Sequence, residues 1–376
     1  MSYILPTSSS LSEGEGVGVR PKNKIYMKEF LLIALGVLIF VVIFQIAKAS
    51  EYVSVLKGEE KTRKQNNRIN AFFLLGFLIF GMIGAWYCNE LYYGKTLFTQ
   101  GSASVEGEKI DTMMWITIGV TGLVFVITQV LLFWFPFKYQ ASDDRKAFYF
   151  AHSTKLELVW TTIPAIVLAV LVVFGLKAWF KLTGDAPSNA IVVEVTGHQF
   201  GWEFRYPGVD NVLGKKDYKL TRGTNPLGVN FEDPASHDDI HVSATMHIPV
   251  DIPVKMVINS QDVIHAVGLS HFRLKMDAVP GIPTTQWFTP KVTTADMKIK
   301  TGNPNFTYEI SCDQMCGAGH FSMRGVIIVE TMAEYKKWLA EQKPEYLTLH
   351  PELAPPVTDT VHKAGSPVVA ALTIKK

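Results

Sequence analysis

The chain has 376 residues, of which 48% are hydrophobic and 19% are charged, and its formal net charge is +2. This length predicts roughly two or three structural units. A charge close to neutral, without a basic tract interleaved with aromatic residues, argues against nucleic acid as a partner. Its 3 cysteines are too few for a secreted scaffold that is built on disulfide bonds.

The first half of the chain contains four apolar runs that are each long enough to cross a bilayer, which needs about 20 apolar residues. Their interiors contain no acidic residue, and tryptophan or tyrosine clusters at several of their ends, as is typical of the boundary between membrane and water. Core helices of a soluble protein are the alternative, which four uncharged runs of this length disfavour. The runs span 30–47, 71–88, 113–137 and 158–180.

The lysines and arginines between these runs predict the orientation of the chain, because cytoplasmic connections carry an excess of such residues. The first connection contains Lys57, Lys61, Arg63, Lys64 and Arg68, the third contains Lys138, Arg145, Lys146 and Lys155, and the middle one contains Lys95 and Lys109. The first and third connections are therefore predicted to be cytoplasmic. The chain after Phe180 is predicted to lie on the opposite side of the membrane.

The N-terminal region favours a different topology. Arg20, Lys22, Lys24 and Lys28 precede the first apolar run, and the AKAS motif after this run is typical of a signal-peptidase site. Cleavage there would leave three spans and a cytoplasmic C-terminal domain. Because that outcome contradicts the charges of the later connections, we predict that the first span is retained.

From about residue 190 the pattern changes to short β-branched or aromatic runs that are separated by Pro, Gly, Asn and Asp. Several short strands without helical patterns between them predict a β-sandwich or a Greek-key barrel. The polar, turn-rich segment 207–240 is interpreted as an insertion. A helical stretch, MAEYKKWLAEQ, follows the last strand, and a flexible, proline-rich tail follows that helix.

The stretch CDQMCGAGHFSM contains Cys312, Cys316, His320 and Met323. A local disulfide and a structural zinc site are two alternatives, but structural zinc is bound by thiolate and imidazole rather than by thioether sulfur. Thiolate, imidazole and thioether together favour a copper site for electron transfer. Two thiolates rather than one favour a pair of coppers.

A second imidazole is expected from a distant strand end, where His265 in SQDVIH is the candidate and His271 is the competitor. With this donor set the sequence resembles subunit II of the haem–copper cytochrome c oxidases. The motif of that family is C-x-E-x-C-x3-H-x2-M, preceded by a strand-end histidine. The resemblance covers roughly residues 113–330.

The resemblance implies a membrane α-helical anchor of four transmembrane helices plus an all-β, cupredoxin-like Greek-key domain with binuclear copper A. It implies that Cys312 and Cys316 bridge the coppers and that His265 and His320 each supply an imidazole. The weak axial ligands would be Met323 and the backbone carbonyl of Gln314. The family has Glu at this last position, where it reaches magnesium at the interface with subunit I. A neutral amide disfavours that magnesium site, although an amide oxygen is still able to ligate.

Three further residues take roles from the resemblance. Glu157, three residues before Trp160, corresponds to a carboxylate at the cytoplasmic entrance of a proton pathway; the alternative is a solvated carboxylate at a helix start. The aromatic stretch GHQFGWEFRY places Phe200 where the family often has a Trp that receives the electron, and Trp202 is retained. This departure predicts a rearranged docking of the electron donor.

Acidic side chains are candidates to steer a basic donor. They are Glu232, Asp233, Asp238, Asp239 and Asp277. A solvated acidic loop is the preferred interpretation for the first four.

The predicted function is electron transfer in a proton-translocating cytochrome c oxidase, from a c-type cytochrome to haem in subunit I. The predicted partners are subunit I, other oxidase subunits, the lipid bilayer and a donor cytochrome, which is soluble or membrane-bound in a supercomplex. The chain is placed in the bacterial inner membrane with its copper domain in the periplasm. The predicted segments are a tail (1–29), two additional transmembrane helices with loops (30–112), a transmembrane hairpin (113–183), the copper domain (184–335), and a helix end with a flexible tail (336–376).

Three other protein classes share part of this pattern. A quinol-oxidase subunit II lacks the copper ligands that are present here. A copper chaperone also uses C-x3-C and a distant histidine, but on an α/β domain with one span. The copper A domain of nitrous oxide reductase fits neither the four spans nor Glu157.

Overall fold

A computed structural model of the protein describes residues 23–353. Most of the predicted N-terminal tail and the end of the C-terminal tail (354–376) lie outside these residues, as do Arg20 and Lys22. Four long helices contain the four predicted spans, and each is long and apolar enough to cross a membrane. They are α1 (Asn23–Lys57), α2 (Glu59–Tyr92), α3 (Val105–Lys138) and α4 (Thr154–Thr183). The prediction of four membrane helices is confirmed.

The helices extend beyond the apolar runs by which they were predicted. The polar stretch Glu59–Arg68 (EEKTRKQNNR) forms the first turns of α2, with Glu59 and Glu60 in the first turn. Carboxylates at this end interact favourably with the helix dipole. Hydropathy detects only the part of a helix that lies in the bilayer, so these polar turns were not predicted.

Contacts divide the described chain into two units. The first unit consists of residues 23–80 and 129–148, in which Phe72 packs on Phe137 and Phe77 on Phe133, with ring centroids 5.2 and 5.4 Å apart. The second unit consists of residues 81–128 and 149–353, and it contains the β domain.

The β domain is a sandwich of two five-stranded sheets, which confirms the predicted class. One sheet has the order β3-β2-β1-β5-β8 and the other has the order β4-β10-β9-β6-β7. In these sheets β1 pairs with β5, and β4 with β10, in parallel. The strands are β1 (Ile191–His198), β2 (Gly201–Tyr206), β3 (Ile240–Ser243), β4 (Thr245–Pro249), β5 (Val254–Ser260), β6 (His265–Leu269), β7 (Leu274–Ala278), β8 (Thr284–Phe288), β9 (Tyr308–Cys312) and β10 (Arg324–Glu330).

The core lies between the two sheets, because successive side chains of a strand point to opposite faces. In β5 this alternation buries Val254, Met256 and Ile258. The β domain also contains three short helices. Helix α5 (Thr294–Thr301) lies between β8 and β9, and α6 (Met332–Glu341) and α7 (Glu345–Leu349) come after β10. The sequence predicted α6, whose N-terminus has a capping box between Thr331 and Glu334. It did not predict α5, which has only 8 residues.

The predicted insertion is an irregular excursion over residues 207–239 that is tied to β1 and β2 by a buried ion-pair network. The Arg205 guanidinium lies 2.6 Å from Glu194 and 2.7 Å from Asp239, and it donates to the carbonyl of Gly214. Asp239 is therefore a buried structural residue, and its interpretation as part of a solvated acidic loop was wrong. The sequence alone does not reveal that its partner, Arg205, is buried.

Contacts within the second unit hold the β domain on the ends of α3 and α4. Glu106, at the start of α3, accepts a hydrogen bond from the backbone amide of Thr289, and the indole of Trp287 donates to the carbonyl of Lys181. The Arg273 guanidinium donates to Asp111 at 2.7 Å. The copper-ligand candidates therefore sit on a domain that is anchored directly to two membrane helices.

Candidate metal centre

Two strand ends and one loop build the candidate site. Cys312 is the last residue of β9, and Cys316 and His320 lie in the loop between β9 and β10. Met323 immediately precedes β10, so both ends of the loop are held by an antiparallel strand pair. His265 is the first residue of β6, which pairs with β9 and thereby brings this histidine beside the loop.

The donor atoms of these residues converge around two sulfur atoms. The Sγ atoms of Cys312 and Cys316 are 3.7 Å apart and are not bonded to each other. Around Cys312 Sγ lie His265 Nδ1 at 3.7 Å and the carbonyl oxygen of Gln314 at 3.1 Å. Around Cys316 Sγ lie His320 Nδ1 at 3.6 Å and Met323 Sδ at 3.8 Å. Each thiol thus faces one imidazole and one weaker donor.

The cluster is largely closed to water. His265 and Met323 are fully buried, and the two cysteines are buried as well. Burial, together with the neighbouring sulfur of Cys312, raises the pKa of the Cys316 thiol to about 11. A buried thiol of this kind becomes a thiolate only when a cation compensates its charge. The arrangement is therefore suited to a metal ion.

Hydrogen bonds outside the donor set orient the ligands. Asp262 Oδ1 lies 2.8 Å from His265 Nε2. Since a carboxylate accepts hydrogen bonds, Nε2 carries the proton and Nδ1 presents its lone pair to Cys312. Asp262 also accepts from the backbone amide of Gln199, and Gln199 Nε2 donates to the carbonyl of Cys316 at 2.6 Å. Neither of these supporting residues was predicted from the sequence, although Asp262 lies only three residues before a predicted ligand.

The chemistry of this donor set fits copper. Copper electron-transfer sites use the ligand types found here, which are thiol, imidazole, thioether and carbonyl. Structural zinc sites do not use thioether ligands. Within residues 23–353, His265, Cys312 and Cys316 form the only group of His, Cys, Asp or Glu side chains whose ligand atoms lie close enough to hold a metal. A local disulfide, the other alternative, is not formed.

The competing histidine, His271, belongs to a different environment. Its ring packs edge-on against Phe306 and Tyr308, at centroid distances of 5.2 and 5.5 Å. Burial and the nearby Arg273 lower the pKa of His271. It is an aromatic packing residue, and the structure brings His265 rather than His271 to the thiols.

Phe200 and Trp202 occupy different positions beside the cluster. The Phe200 ring is 39% exposed and lies against the backbone of the metal loop, where a Cβ atom on Gly319 would come within 2.5 Å of it. The Trp202 side chain is only 1% exposed, and its ring packs edge-on against His265 at a centroid distance of 6.1 Å. Of the two, only Phe200 is accessible to another protein.

Glu157 lies at the end of α4 that is remote from the β domain. It is in the first turn of this helix, where Ser153 provides the N-cap, and its side chain is exposed. Lys181, near the other end of α4, contacts Trp287 of the β domain. With a rise of 1.5 Å per residue, Glu157 is roughly 36 Å from Lys181 along the helix axis. This places the two residues on opposite sides of a bilayer whose hydrocarbon core is about 30 Å thick.

Two protein-family models match most of this chain. The protein-family model "Cytochrome C oxidase subunit II, periplasmic domain" matches residues 191–332, and "Cytochrome C oxidase subunit II, transmembrane domain" matches residues 93–178. Helices α1 and α2 precede both matched ranges.

Two relatives and one solved structure illustrate the similarity. "Alternative cytochrome c oxidase subunit 2" of Bradyrhizobium diazoefficiens is 34% identical over 235 residues, which are 62% of this chain and 80% of the relative. "Cytochrome c oxidase subunit 2" of Cereibacter sphaeroides is 24% identical over 255 residues, 65% of this chain and 79% of the relative. The periplasmic domain of subunit II (CoxB) of Bradyrhizobium japonicum is 23% identical, with a TM-score of 0.29, and covers 43% of this chain and 99% of that one.

Proposed function

Because the chain belongs to the cytochrome c oxidase subunit II family, we propose that its cupredoxin-like domain holds the binuclear copper A centre and receives electrons from a c-type cytochrome. The chain is a multi-pass membrane subunit of a haem–copper oxidase, with its β domain in the periplasm and two helices before the family's membrane hairpin. One observation carries the proposal: two unbonded thiols lie 3.7 Å apart, and each faces an imidazole and a weaker donor.

The residues that would hold the copper pair are His265, Cys312, Gln314 through its carbonyl, Cys316, His320 and Met323. When bound, a copper pair supplies a one-electron redox centre whose change in charge is shared by two metals. Two cysteines that face each other across one small, buried space support a pair of metals rather than a single ion, since each sulfur has its own histidine.

Hydrogen bonds and strand pairing hold the ligand residues in position without a metal. Asp262 holds His265 in the tautomer that leaves Nδ1 free, and Gln199 holds the backbone of the loop at Cys316. The strand pair β9–β10 fixes both ends of the loop. A ligand set that is held in place in this way changes little when the charge of the centre changes, which lowers the reorganisation that accompanies electron transfer.

We place the entry of the electron at Phe200. Its ring is partly exposed on one side and touches the loop that carries Cys316 and His320 on the other. The burial of Trp202 supports Phe200 over Trp202 as the surface that the donor contacts. The donor is proposed to be a c-type cytochrome, and the electron then passes to haem in subunit I, where oxygen is reduced.

We assign proton entry to Glu157 on the opposite side of the membrane. The support is its position in the first turn of α4, its exposed side chain, and the family's carboxylate at the corresponding position. The proposed location is the bacterial inner membrane, with the connections α1–α2 and α3–α4 in the cytoplasm. That orientation agrees with the basic residues of these connections.

The test is copper stoichiometry and electron paramagnetic resonance on the full-length chain, purified in detergent without subunit I and reconstituted with copper. We expect about two coppers per chain, one for each pair of thiol and imidazole, and a hyperfine pattern from one unpaired electron shared by both nuclei. One copper with a mononuclear spectrum would contradict the proposal. So would the absence of copper from a chain in which Cys312 and Cys316 are both reduced thiols.

A pair of matched variants tests the ligand assignment. Met323→Leu removes the thioether from the cluster and is expected to alter the spectrum, while Met246→Leu makes the same change at a buried methionine of β4 and is expected to leave it unchanged. An identical response of the two variants would remove Met323 from the ligand set.

A further inference from the structure

A cavity of about 310 Å³ lies in the first unit, between α2, the end of α3 and the segment that follows α3. Four cationic side chains line it, and no carboxylate does. The polar and charged lining residues are Lys64, Arg68, Lys138, Gln140, Ser142 and Arg145. A cavity with this lining attracts an anion.

Three of these cations have no anionic partner among the side chains that the structure describes. Lys64 is neutralised by Glu60 at 2.9 Å and by Asp143, which also pairs with Arg63. In contrast, Arg68, Lys138 and Arg145 form no ion pair with a carboxylate of residues 33–353, the range in which side chains are described apart from positions 50 and 54. The cavity therefore keeps uncompensated positive charge.

The cavity lies at the level where lipid headgroups are found. Lys138 is the last residue of α3 and follows the apolar run 113–137, and Arg68 precedes the apolar run 71–88. Because the β domain is periplasmic and α4 leads into it, these ends of α2 and α3 face the cytoplasm. Anionic phospholipids give the cytoplasmic surface a negative potential, and basic pockets between membrane helices bind their headgroups.

An apolar groove continues from this cavity along α2. It has a volume of about 800 Å³, and Arg68 lines both the groove and the cavity. Its apolar lining residues are Ile69, Phe72, Phe73, Gly76, Phe77 and Phe80. Residues 69–80 extend for roughly 17 Å along the helix axis.

The floor of this groove is open and its walls are fixed. A Cβ atom on Gly76 would have only Phe80 within reach, at 4.0 Å, so the glycine leaves space at the centre. The rings of Phe72 and Phe77 are held by Phe137 and Phe133 of α3. The groove thus has the length and the apolar lining that suit an acyl chain.

We propose that an anionic phospholipid of the cytoplasmic leaflet binds here. Its phosphate group occupies the cavity between Arg68 and Lys138, and one acyl chain lies along the α2 groove. The lipid attaches the additional N-terminal helix α2 to the end of α3, which belongs to the family's membrane hairpin. The site is independent of the copper centre.

The test titrates the full-length chain in detergent with dioleoyl phosphatidylglycerol or dioleoyl phosphatidylcholine, and native mass spectrometry counts the bound lipid. We expect one phosphatidylglycerol per chain to bind with preference over phosphatidylcholine. Each basic residue near an anionic lipid contributes roughly a fivefold factor to affinity, so the double variant Arg68→Gln/Lys138→Gln is expected to bind about 30-fold more weakly.

The matched control is Lys61→Gln/Lys146→Gln, which removes the same charge from exposed lysines of the same connections outside the cavity. Its affinity is expected to equal that of the unchanged chain. Equal weakening in both double variants would assign the effect to diffuse surface charge and overturn the proposal. Equal binding of the two lipids would also overturn it.

Two further measurements distinguish the phospholipid from other occupants. Gly76→Leu fills the groove and is expected to weaken the binding of dioleoyl phosphatidylglycerol but not the binding of dihexanoyl phosphatidylglycerol. If the variant binds both lipids as tightly as the unchanged chain does, the placement of the acyl chain is overturned. Displacement of the lipid by equimolar inorganic phosphate would indicate a free-phosphate site instead. A photo-crosslinker at Phe73 in the assembled oxidase is expected to capture lipid, and capture of a neighbouring subunit would overturn the proposal.

Discussion

The Asp262 carboxylate lies 2.8 Å from Nε2 of His265, on the side of the imidazole ring opposite to the thiols. The other nitrogen, Nδ1, lies 3.7 Å from Cys312 Sγ. Asp262 therefore determines which nitrogen of His265 is available as a ligand. It does so without contacting the sulfur atoms.

Replacing this carboxylate tests its positioning role. Asp262→Asn is expected to weaken copper binding by about 10- to 100-fold, because loss of the hydrogen-bond partner of a metal-bound histidine has effects of this size. Copper retained during dialysis against a chelator measures the change. Asp277→Asn, at an exposed position of β7, is the control and should retain copper like the unchanged chain. Equal loss from both variants would show that Asp262 has no specific role.

Phe200 is expected to govern the rate at which electrons arrive. Phe200→Ala should slow reduction of the copper domain by a c-type cytochrome roughly 10-fold, the effect of truncating an aromatic anchor of an interface. Stopped-flow absorbance with the assembled oxidase measures this rate. Copper content should stay the same, because Phe200 is not a ligand.

The control for this rate is Tyr218→Ala, which truncates an aromatic side chain that is 82% exposed on the 207–239 excursion. An unchanged rate in Phe200→Ala, or the same decrease in Tyr218→Ala, would argue against entry at Phe200.

Gly319 leaves space for the Phe200 ring. A Cβ atom at this glycine would lie 2.5 Å from the ring, so Gly319→Ala is expected to destabilise the β domain by about 1–3 kcal/mol through overpacking. Thermal unfolding of the full-length chain measures the loss. The double variant Gly319→Ala/Phe200→Ala should recover most of it, because the clash is with this ring. Gly223→Ala, which has no atom within 4 Å of the added Cβ, should be neutral.

The stability of the β domain is expected to fall between pH 6.5 and 9 because of His241. Burial lowers the pKa of this histidine, but hydrogen bonds to Glu203 and Glu345 outweigh that effect and raise the pKa to about 9. The protonated histidine is therefore favoured in the folded state, so its contribution is complete below the unfolded pKa of about 6.5 and is lost as the pH rises through 9. The expected loss is about 1–3 kcal/mol.

Unfolding midpoints across this pH range test the prediction. His241→Gln should be less stable than the unchanged chain at pH 6 and should show a flatter dependence above it. Burial raises the pKa of Glu203, but hydrogen bonds from His198, His241 and Ser243 outweigh burial and lower this pKa to about 2. Glu203 therefore stays ionised throughout the range and does not confuse the result.

Glu157 is expected to matter for protons and not for copper. Glu157→Gln replaces a titratable carboxyl group by a neutral amide at an exposed position at the start of α4. Oxygen-reduction turnover of the assembled oxidase should therefore fall by about tenfold or more. Oxygen consumption measures the turnover and proton uptake in proteoliposomes measures the accompanying proton transfer, with copper content as an internal check. Lys155→Gln, two residues earlier and also exposed, is the control. If turnover is unaffected, Glu157 is only a solvated helix-start carboxylate.

Part of the site was predictable because it is local in sequence. Cys312, Cys316, His320 and Met323 lie within twelve residues, and the loop between β9 and β10 is too short to separate them. The four spans were likewise predictable, because a bilayer selects for length and hydropathy alone. Both results follow from constraints that act over a single segment of the chain.

Other features were decided by contacts between distant segments. The choice of His265 over His271 depends on the pairing of β6 with β9, which turns one histidine toward the thiols and leaves the other among aromatic rings. Asp239 was predicted to be part of a solvated acidic loop, but it is buried because Arg205 of β2 compensates its charge.

The sequence by itself determined that four helices enter a membrane and that a loop of the β domain offers two thiols, an imidazole and a thioether. The sequence also predicted His265 as the second imidazole, but only the tertiary structure showed that it faces the thiols and His271 does not. The tertiary structure alone decided that Asp262 and Gln199 hold the site and that Phe200 rather than Trp202 reaches the surface. The physical reason is that hydropathy and ligand spacing are properties of one segment. Burial, hydrogen-bond partners and strand register depend on which segments meet after folding.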